Sequence, residues 1–197
     1  MFFLFPRIIK PEVCDKIVAD CLTKNLKPAK VFGHNAGSQR DDPNIRKTAV
    51  YFVPTESRDN KANELAWYFL KEANRQMFNY DLTYFQSIQF AEYKNGDFYD
   101  WHIDSHYQAE PNKTRKLSLS LMLTNPDNFE GGELQFFNGG RPFTENGDET
   151  GEQIKKDLKS QGTIVVFDSR DFHRVTPVTN NGVRHSIVCW ATGAAFK

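Results

Sequence analysis

Lys116-Leu-Ser-Leu-Ser-Leu-Met-Leu-Thr124 decides the fold of this chain. Its leucines alternate strictly, and side chains two apart on an extended backbone share a face, so the stretch reads as a strand with one apolar side. The same texture continues around it. Short β-like runs at 84–93, 98–103, 133–137, 163–167, 173–178 and 184–191 are separated by turn residues, which predicts many short strands from residue 81 onward.

The first 80 residues differ. Pro11 suits a first helical position, and Val13, Ile17, Val18, Cys21 and Leu22 recur at helical spacing, predicting a helix over 11–24. A second helix is expected over 57–79, where Ala62, Leu65, Ala66, Phe69, Leu70, Ala73 and Met77 make one stripe. Between them, Gly33–Asn44 is polar and reads as a long loop, and Thr48–Val53 is β-like. Asn138–Gly162 reads as a surface excursion holding a short helix at Gln153–Leu158. Helices followed by strands make an α+β, mainly β chain, its strands closed as a sandwich or barrel. The length of 197 residues suits one domain, with 1–80 as helical support and substrate-side loop and 81–197 as the core.

Composition narrows the function. Lys+Arg and Asp+Glu balance at 25 each, so nothing in the total points to nucleic acid or another polyanion. Cys14, Cys21 and Cys189 are too few and too irregular for a disulfide framework or zinc site, which fits a reducing compartment. The apolar opening Met1-Phe-Phe-Leu-Phe-Pro6 has no basic residue ahead of it and stops at Pro6 and Arg7. No signal peptide, membrane span or membrane association is expected, and the location expected is cytoplasmic.

Metal-binding chemistry is suggested by Tyr99-Asp-Trp-His-Ile-Asp-Ser-His-Tyr107. His102 and Asp104 sit two apart, so an imidazole and a carboxylate can converge on one ion. His173, at the head of a β-like run, offers a third ligand. Two histidines and one carboxylate on one face is the arrangement of non-haem iron(II) oxygenases. His106 is also in phase with the pair. A local His102, Asp104 and His106 triad ranks lower, because three ligands from one extended segment rarely wrap around an ion. If 173–178 and 184–191 pair through the turn at 179–182, Arg184 lies across from Thr176–Val178 and projects into the same cavity. A guanidinium buried there needs an anion, and a carboxylate suits its fork.

At these residues the chain resembles the prolyl 4-hydroxylase-like catalytic domain of the 2-oxoglutarate/iron(II) oxygenases. The resemblance covers roughly 85–191. It rests on Tyr93, Phe98-Tyr-Asp-Trp-His-Ile-Asp104, Lys116–Leu123 with Asn125, Phe129-Glu-Gly-Gly-Glu-Leu134, Gly162-Thr-Ile-Val-Val-Phe167, and His173…Pro177-Val…Gly182-Val-Arg184…Trp190. Asn44-Ile-Arg-Lys-Thr48 is similar to the family's segment beside the substrate entrance. The resemblance implies a double-stranded β-helix (jelly-roll) barrel backed by N-terminal helices. It implies Fe(II) held by His102, Asp104 and His173, 2-oxoglutarate bound by Arg184 with Tyr93 and Trp190, O2 as oxidant, and ascorbate as a candidate reductant. The reaction implied is hydroxylation coupled to decarboxylation of 2-oxoglutarate to succinate. Two positions depart from the pattern. Many collagen-type members carry Lys where this chain has Arg184, and the strand ending Leu121-Met-Leu-Thr124 lacks a tyrosine often found there.

The substrate expected is a proline-containing peptide or protein, whose stiff extended form suits aromatic grooves. Tyr99, Trp101 and Arg46 are the expected contacts, Tyr107 also flanks the ligand pair, and the 33–44 loop is a candidate lid. An oxygenase acting on another protein residue or a small molecule is the alternative. A nucleic-acid demethylase is disfavoured, because that family's second arginine, six residues after the first, is Trp190 here. A non-catalytic metal- or sugar-binding jelly roll would not need Arg184.

Overall fold

Thr114–Met122 is an interior strand of the largest antiparallel sheet, and its alternation separates two apolar clusters. Leu117, Leu119, Leu121 and Leu123 join a cluster with Cys14, Cys21, Leu70 and Ala73 from the two N-terminal helices. Met122, on the opposite face, joins a second cluster fed by both sheets.

The computed structural model describes residues 2–32, 39–54, 61–105, 112–138, 141–142 and 149–196. The elements in chain order are β1 (Phe2–Phe5), α1 (Pro11–Leu22), β2 (Lys27–Pro28), β3 (Val31–Phe32), β4 (Gln39–Arg40), β5 (Arg46–Lys47), β6 (Ala49–Phe52) and α2 (Lys61–Ala73). A π-helical turn (Asn74–Phe78) extends α2. There follow β7 (Tyr84–Phe85), β8 (Gln89–Tyr93), β9 (Phe98–His102), β10 (Thr114–Met122), β11 (Leu134–Asn138), β12 (Arg141–Pro142), α3 (Glu149–Lys159), β13 (Ile164–Asp168), β14 (His173–Val175) and β15 (Arg184–Gly193).

Among the described residues the larger sheet runs β1-β13-β10-β15-β8-β6-β2, with β7 also on β15, and the smaller runs β12-β11-β14-β9-β5. Leu134, Phe136 and Val175 of the smaller sheet pack with Val50, Ala91, Tyr93, Met122, Val165 and Phe167 of the larger, so the two share one core. The Phe136 and Phe167 rings meet edge to face at 4.9 Å. α2 packs on the other side of the larger sheet, against β10, β13 and β15. This mainly antiparallel β arrangement with few helices is consistent with a jelly roll.

Several expectations need correction. β14 and β15 are not a hairpin. β14 pairs with β11 and β9, whereas β15 pairs with β10 and β8, so the chain crosses between sheets after Val178. Phe2–Phe5, read only as an apolar burst, is a strand pairing with β13. The 138–162 stretch is more than a surface excursion, because Leu158 of α3 is buried and Ile154 packs beside it. In the expected 33–44 loop, Gln39 and Arg40 pair with Phe32 and Val31. Residues 33–38, and with them half of the candidate lid, lie outside the described residues, as do His106 and Tyr107.

The glycine pair in Phe129-Glu-Gly-Gly-Glu also acquires a reason. Gly131 and Gly132 adopt φ +65° and +58°. A Cβ on Gly131 would lie 2.0 Å from the Pro177 carbonyl oxygen, and one on Gly132 would lie 2.8 Å from Cδ of Arg184. Both positions therefore require glycine, for backbone conformation and for close approach.

Candidate metal centre

β9 and β14 are neighbours, and they place His102 opposite His173. Tyr99 of β9 pairs with Val175, so three steps along β9 correspond to two along β14, the signature of a bulge. The bulge turns Tyr99 and His102 to the same side despite their odd spacing, and their rings stack at 3.5 Å. Asp104 follows just beyond the strand. Ligand atoms of His102, Asp104 and His173 all lie within 4.8 Å of one another. His102 Nε2 is 3.8 Å from Asp104 Oδ1, and His173 Nε2 is 3.6 Å from Oδ2.

Each imidazole is oriented by the carbonyl two residues before it. His102 Nδ1 lies 2.7 Å from the Asp100 carbonyl oxygen and His173 Nδ1 lies 2.9 Å from that of Asp171. A carbonyl only accepts, so Nδ1 carries the proton in each ring and Nε2 presents a lone pair toward Asp104. Burial, followed by the neighbouring His173, holds His102 well below the ordinary imidazole range, favouring the neutral form a metal needs. For Asp104, burial acts to raise the carboxyl. Arg115 nearby, the Ser118 hydrogen bond and any proton taken up by His173 or His102 act the other way, and the net shift keeps the group ionised.

β15 supplies the far wall of the cavity. Arg184, Ser186, Val188 and Trp190 alternate along it and all line the space that His102, Asp104 and His173 also line. The cavity has an empty volume of about 790 Å³ including its open mouth. Arg184 is 1% exposed, yet its guanidinium makes one hydrogen bond, from Nη1 to Ser186 Oγ at 3.0 Å, and Nε is buried without a partner among the described residues. Tyr93 lies beneath it, the guanidinium carbon standing 5.1 Å from the ring centroid. Burial pushes this guanidinium's pKa down, against the pull of Tyr93. An unneutralised buried cation is costly, and an anion in the cavity would offset the cost.

The remaining predicted residues separate into two groups. Tyr99, Arg46 and Trp190 line the cavity. Arg46 lies over the Tyr99 ring at 4.4 Å, with its Nε buried and unpartnered among the described residues. Trp101 is not brought to the cavity. Its ring stacks on Phe172 at 5.7 Å and meets Phe137 edge-on, with the Arg174 guanidinium 4.7 Å above. Adjacent residues on a strand face opposite ways, and Trp101 takes the side His102 does not.

Three contributors escaped sequence reasoning. Ser118 donates to the Asp104 carboxylate, Ser169 supports Ser118 from behind, and Arg115 lines the cavity while stacking on Trp190 at 3.7 Å. The signal for Ser118 was available, since it alternates with the leucines of β10 and so must face away from their cluster.

The model of the 2OG-Fe(II) oxygenase superfamily matches residues 88–192, more than half of the chain. The chain belongs to the 2OG-Fe(II) oxygenase superfamily. Members of this superfamily use Fe(II), 2-oxoglutarate and O2. A PKHD-type hydroxylase of Teredinibacter turnerae is 33% identical over 105 residues, covering 52% of this chain and 41% of that protein. Another, from Psychrobacter sp., is 36% identical over 105 residues, covering 51% and 36%. The chain thus spans about two fifths of the length of these curated relatives. Among solved structures, a Pseudomonas putida prolyl-4-hydroxylase superposes with a TM-score of 0.70 at 20% identity, covering 98% of this oxygenase chain and 93% of that one. A Trichoplax adhaerens prolyl hydroxylase, solved with a hypoxia inducible factor peptide fragment, gives 0.68 at 16% identity, covering 98% and 83%. At these identities the likeness is one of fold.

Proposed function

We propose that this chain hydroxylates a proline residue of a peptide or protein, coupled to conversion of 2-oxoglutarate to succinate and CO2. The observation that carries the reading is Arg184, a buried guanidinium with an unpartnered Nε, in the same cavity as two imidazoles and a carboxylate. That donor set suits Fe(II) with positions left open, and the guanidinium suits the distal carboxylate of a dicarboxylic acid.

In this reading His102, Asp104 and His173 are the iron ligands, Arg184 and Tyr93 bind the distal end of 2-oxoglutarate, and Trp190 bounds the cosubstrate. Bound iron supplies O2 activation, one oxygen atom entering the substrate C–H bond as hydroxyl and the other entering succinate. The chain's own residues orient and enclose. The Nδ1 hydrogen bonds fix both imidazoles, Ser118 fixes the carboxylate, and Leu134, Phe167, Val175 and Val188 give the cavity an apolar wall. Tyr99 and Arg46 face the arriving substrate. Residues 1–197 act as one oxygenase domain, a double-stranded β-helix with α1 and α2 at its back, working in the reducing cytoplasm. The three free, buried cysteines support that location, and among the described residues no helix is long and apolar enough to cross a membrane.

Support for the prolyl substrate comes from the prolyl hydroxylases that share the fold, one of them with a bound peptide. The test is incubation with Fe(II), ascorbate, 2-oxoglutarate and proline-containing peptides, followed by mass spectrometry. One added oxygen on proline with matching succinate is expected. Oxygen appearing only on other residues or on small molecules removes the prolyl assignment, and absence of succinate throughout removes the oxygenase assignment.

A further inference from the structure

We infer that the peptide substrate is acidic on the side that crosses a groove formed by Lys24, Lys27 and Lys30, an inference resting on the peptide-hydroxylase reading above. The metal-bearing cavity does not end at its mouth. Lys30, Gln39, Phe52 and Gln89 line both it and a second depression, which continues past Lys27 to Lys24. β2 is the last strand of the larger sheet, so this depression runs along the sheet's edge beside the entrance.

Charge is distributed unevenly here although the whole chain carries 25 acids against 25 lysines and arginines. The two spaces are lined by Lys24, Lys27, Lys30, Arg46, Arg115 and Arg184, and among the described lining residues the sole acid is Asp104. Asp104 belongs to the metal centre, so it neutralises none of the outer cations. Of the acids on neighbouring strands and turns, Asp42 is paired with Arg40, Asp97 with Lys47 and Glu92 with Lys94. None of the three groove lysines forms an ion pair with a described residue.

The groove also offers what an extended peptide needs besides charge. Tyr51 and Phe52 line it, and Phe52 is 53% exposed, a large apolar surface left open. Arg46 stands where the groove meets the cavity and adds a further cation there. Aspartate or glutamate residues flanking the reacting one would meet Lys30, Lys27 and Lys24 in turn. A nucleic-acid strand fits less well, because the basic track is short and the remainder of the chain adds no net positive charge.

The test uses fluorescently labelled synthetic peptides that share a central proline and carry Asp/Glu, Gln or Lys on one flank. Binding is read by anisotropy with Mn(II) and 2-oxoglutarate present. The acidic peptide should bind about tenfold more tightly than the glutamine one, with an affinity that falls as salt rises. The Lys24→Glu/Lys27→Glu double variant should lose that preference and favour the lysine peptide, a reversal that misfolding does not produce. Equal binding of the three peptides by the wild type overturns the inference, as does a single-stranded oligonucleotide that outcompetes the acidic peptide. The two readings fail separately. Proline oxidation without acidic preference defeats the groove alone, and tight acidic binding without any oxygen transfer defeats the hydroxylase reading alone.

Discussion

Ser118 Oγ lies 2.7 Å from Asp104 Oδ2 and 2.9 Å from Ser169 Oγ, with both serines fully buried. An ionised carboxylate only accepts, so the Ser118 proton goes to Asp104 and the Ser169 proton goes to Ser118. Ser169 also accepts the Asp104 backbone N–H at 2.9 Å. The carboxylate is thereby held through Oδ2 by β10, while the turn after β13 holds the Asp104 backbone and orients Ser118. Removing the Ser118 hydroxyl frees the carboxylate to rotate. Ser118→Ala is expected to weaken Mn(II) binding about 10- to 100-fold by isothermal titration, with Ser118→Thr close to wild type. Unchanged affinity in the alanine variant would show that the serine pair is only packing.

Among the described residues Arg184 is the largest fully buried side chain, and its guanidinium has few polar contacts. Replacing it with methionine removes a buried cation at similar volume. The 2-oxoglutarate-free protein should therefore hold its stability or gain about 1–4 kcal/mol in urea unfolding. The same variant should lose the stabilisation that added 2-oxoglutarate gives the wild type. Retention of that ligand-induced shift would place the dicarboxylate elsewhere.

Gly131 and Gly132 make a paired experiment. Gly131→Ala drives a methyl into the Pro177 carbonyl, which is backbone and yields poorly, whereas Gly132→Ala meets the flexible Arg184 stem. The first should cost stability, about 1–3 kcal/mol from its φ alone and more from the clash. The second should cost less stability but raise the KM for 2-oxoglutarate by displacing the guanidinium. Equal effects on both quantities would contradict this division.

Opposite faces of β10 should respond differently to truncation. Leu119→Ala opens a cavity in the helix-backed core and is expected to cost about 2–5 kcal/mol. Ser120→Ala, one residue away, lines the active cavity and should leave the urea midpoint nearly unchanged. Comparable losses at both positions would deny the two-faced character of the strand.

Asp168 anchors the end of β13. Its carboxylate accepts from Arg170 Nε and Nη2 at 3.0 and 2.7 Å, and from the Tyr80 hydroxyl. Burial alone would raise this carboxyl, but the hydrogen bonds from Arg170 and Tyr80 outweigh it and set the folded pKa below its ordinary 3.8. A depressed folded value contributes stability above the unfolded pKa that is lost as pH falls through the folded one. Wild type should therefore lose stability on acidification below about pH 5, and Asp168→Asn should show a shallower acid slope from a lower starting point. Parallel pH profiles would remove Asp168 from the acid transition.

Much of this was legible in the residues because local periodicity reports faces. The leucine alternation placed β10, the spacing of His102 and Asp104 put two donors together, and the glycine pair and Arg184 sat in a recognisable order. Pairing between distant strands was not legible. The turn at 179–182 suggested a hairpin, yet β14 and β15 enter different sheets, since which strands associate depends on burial across the whole molecule. Arg184 reached the expected cavity by facing His173 across the core instead of lying beside it. β1 was missed for the same reason, its partner being about 160 residues away. Trp101 adjoins a ligand in sequence but packs on Phe172 and Phe137, since neighbouring strand residues diverge.

β15 writes two messages in alternate letters. Arg184, Ser186, Val188 and Trp190 address the reaction chamber, while His185, Ile187, Cys189 and Ala191 take the other side of the strand. Insertion or loss of a single residue upstream within this strand would exchange the two texts, pressing a guanidinium into the leucine layer and lining the chamber with greasy side chains. A shift of frame in this strand would therefore disturb chamber and core together.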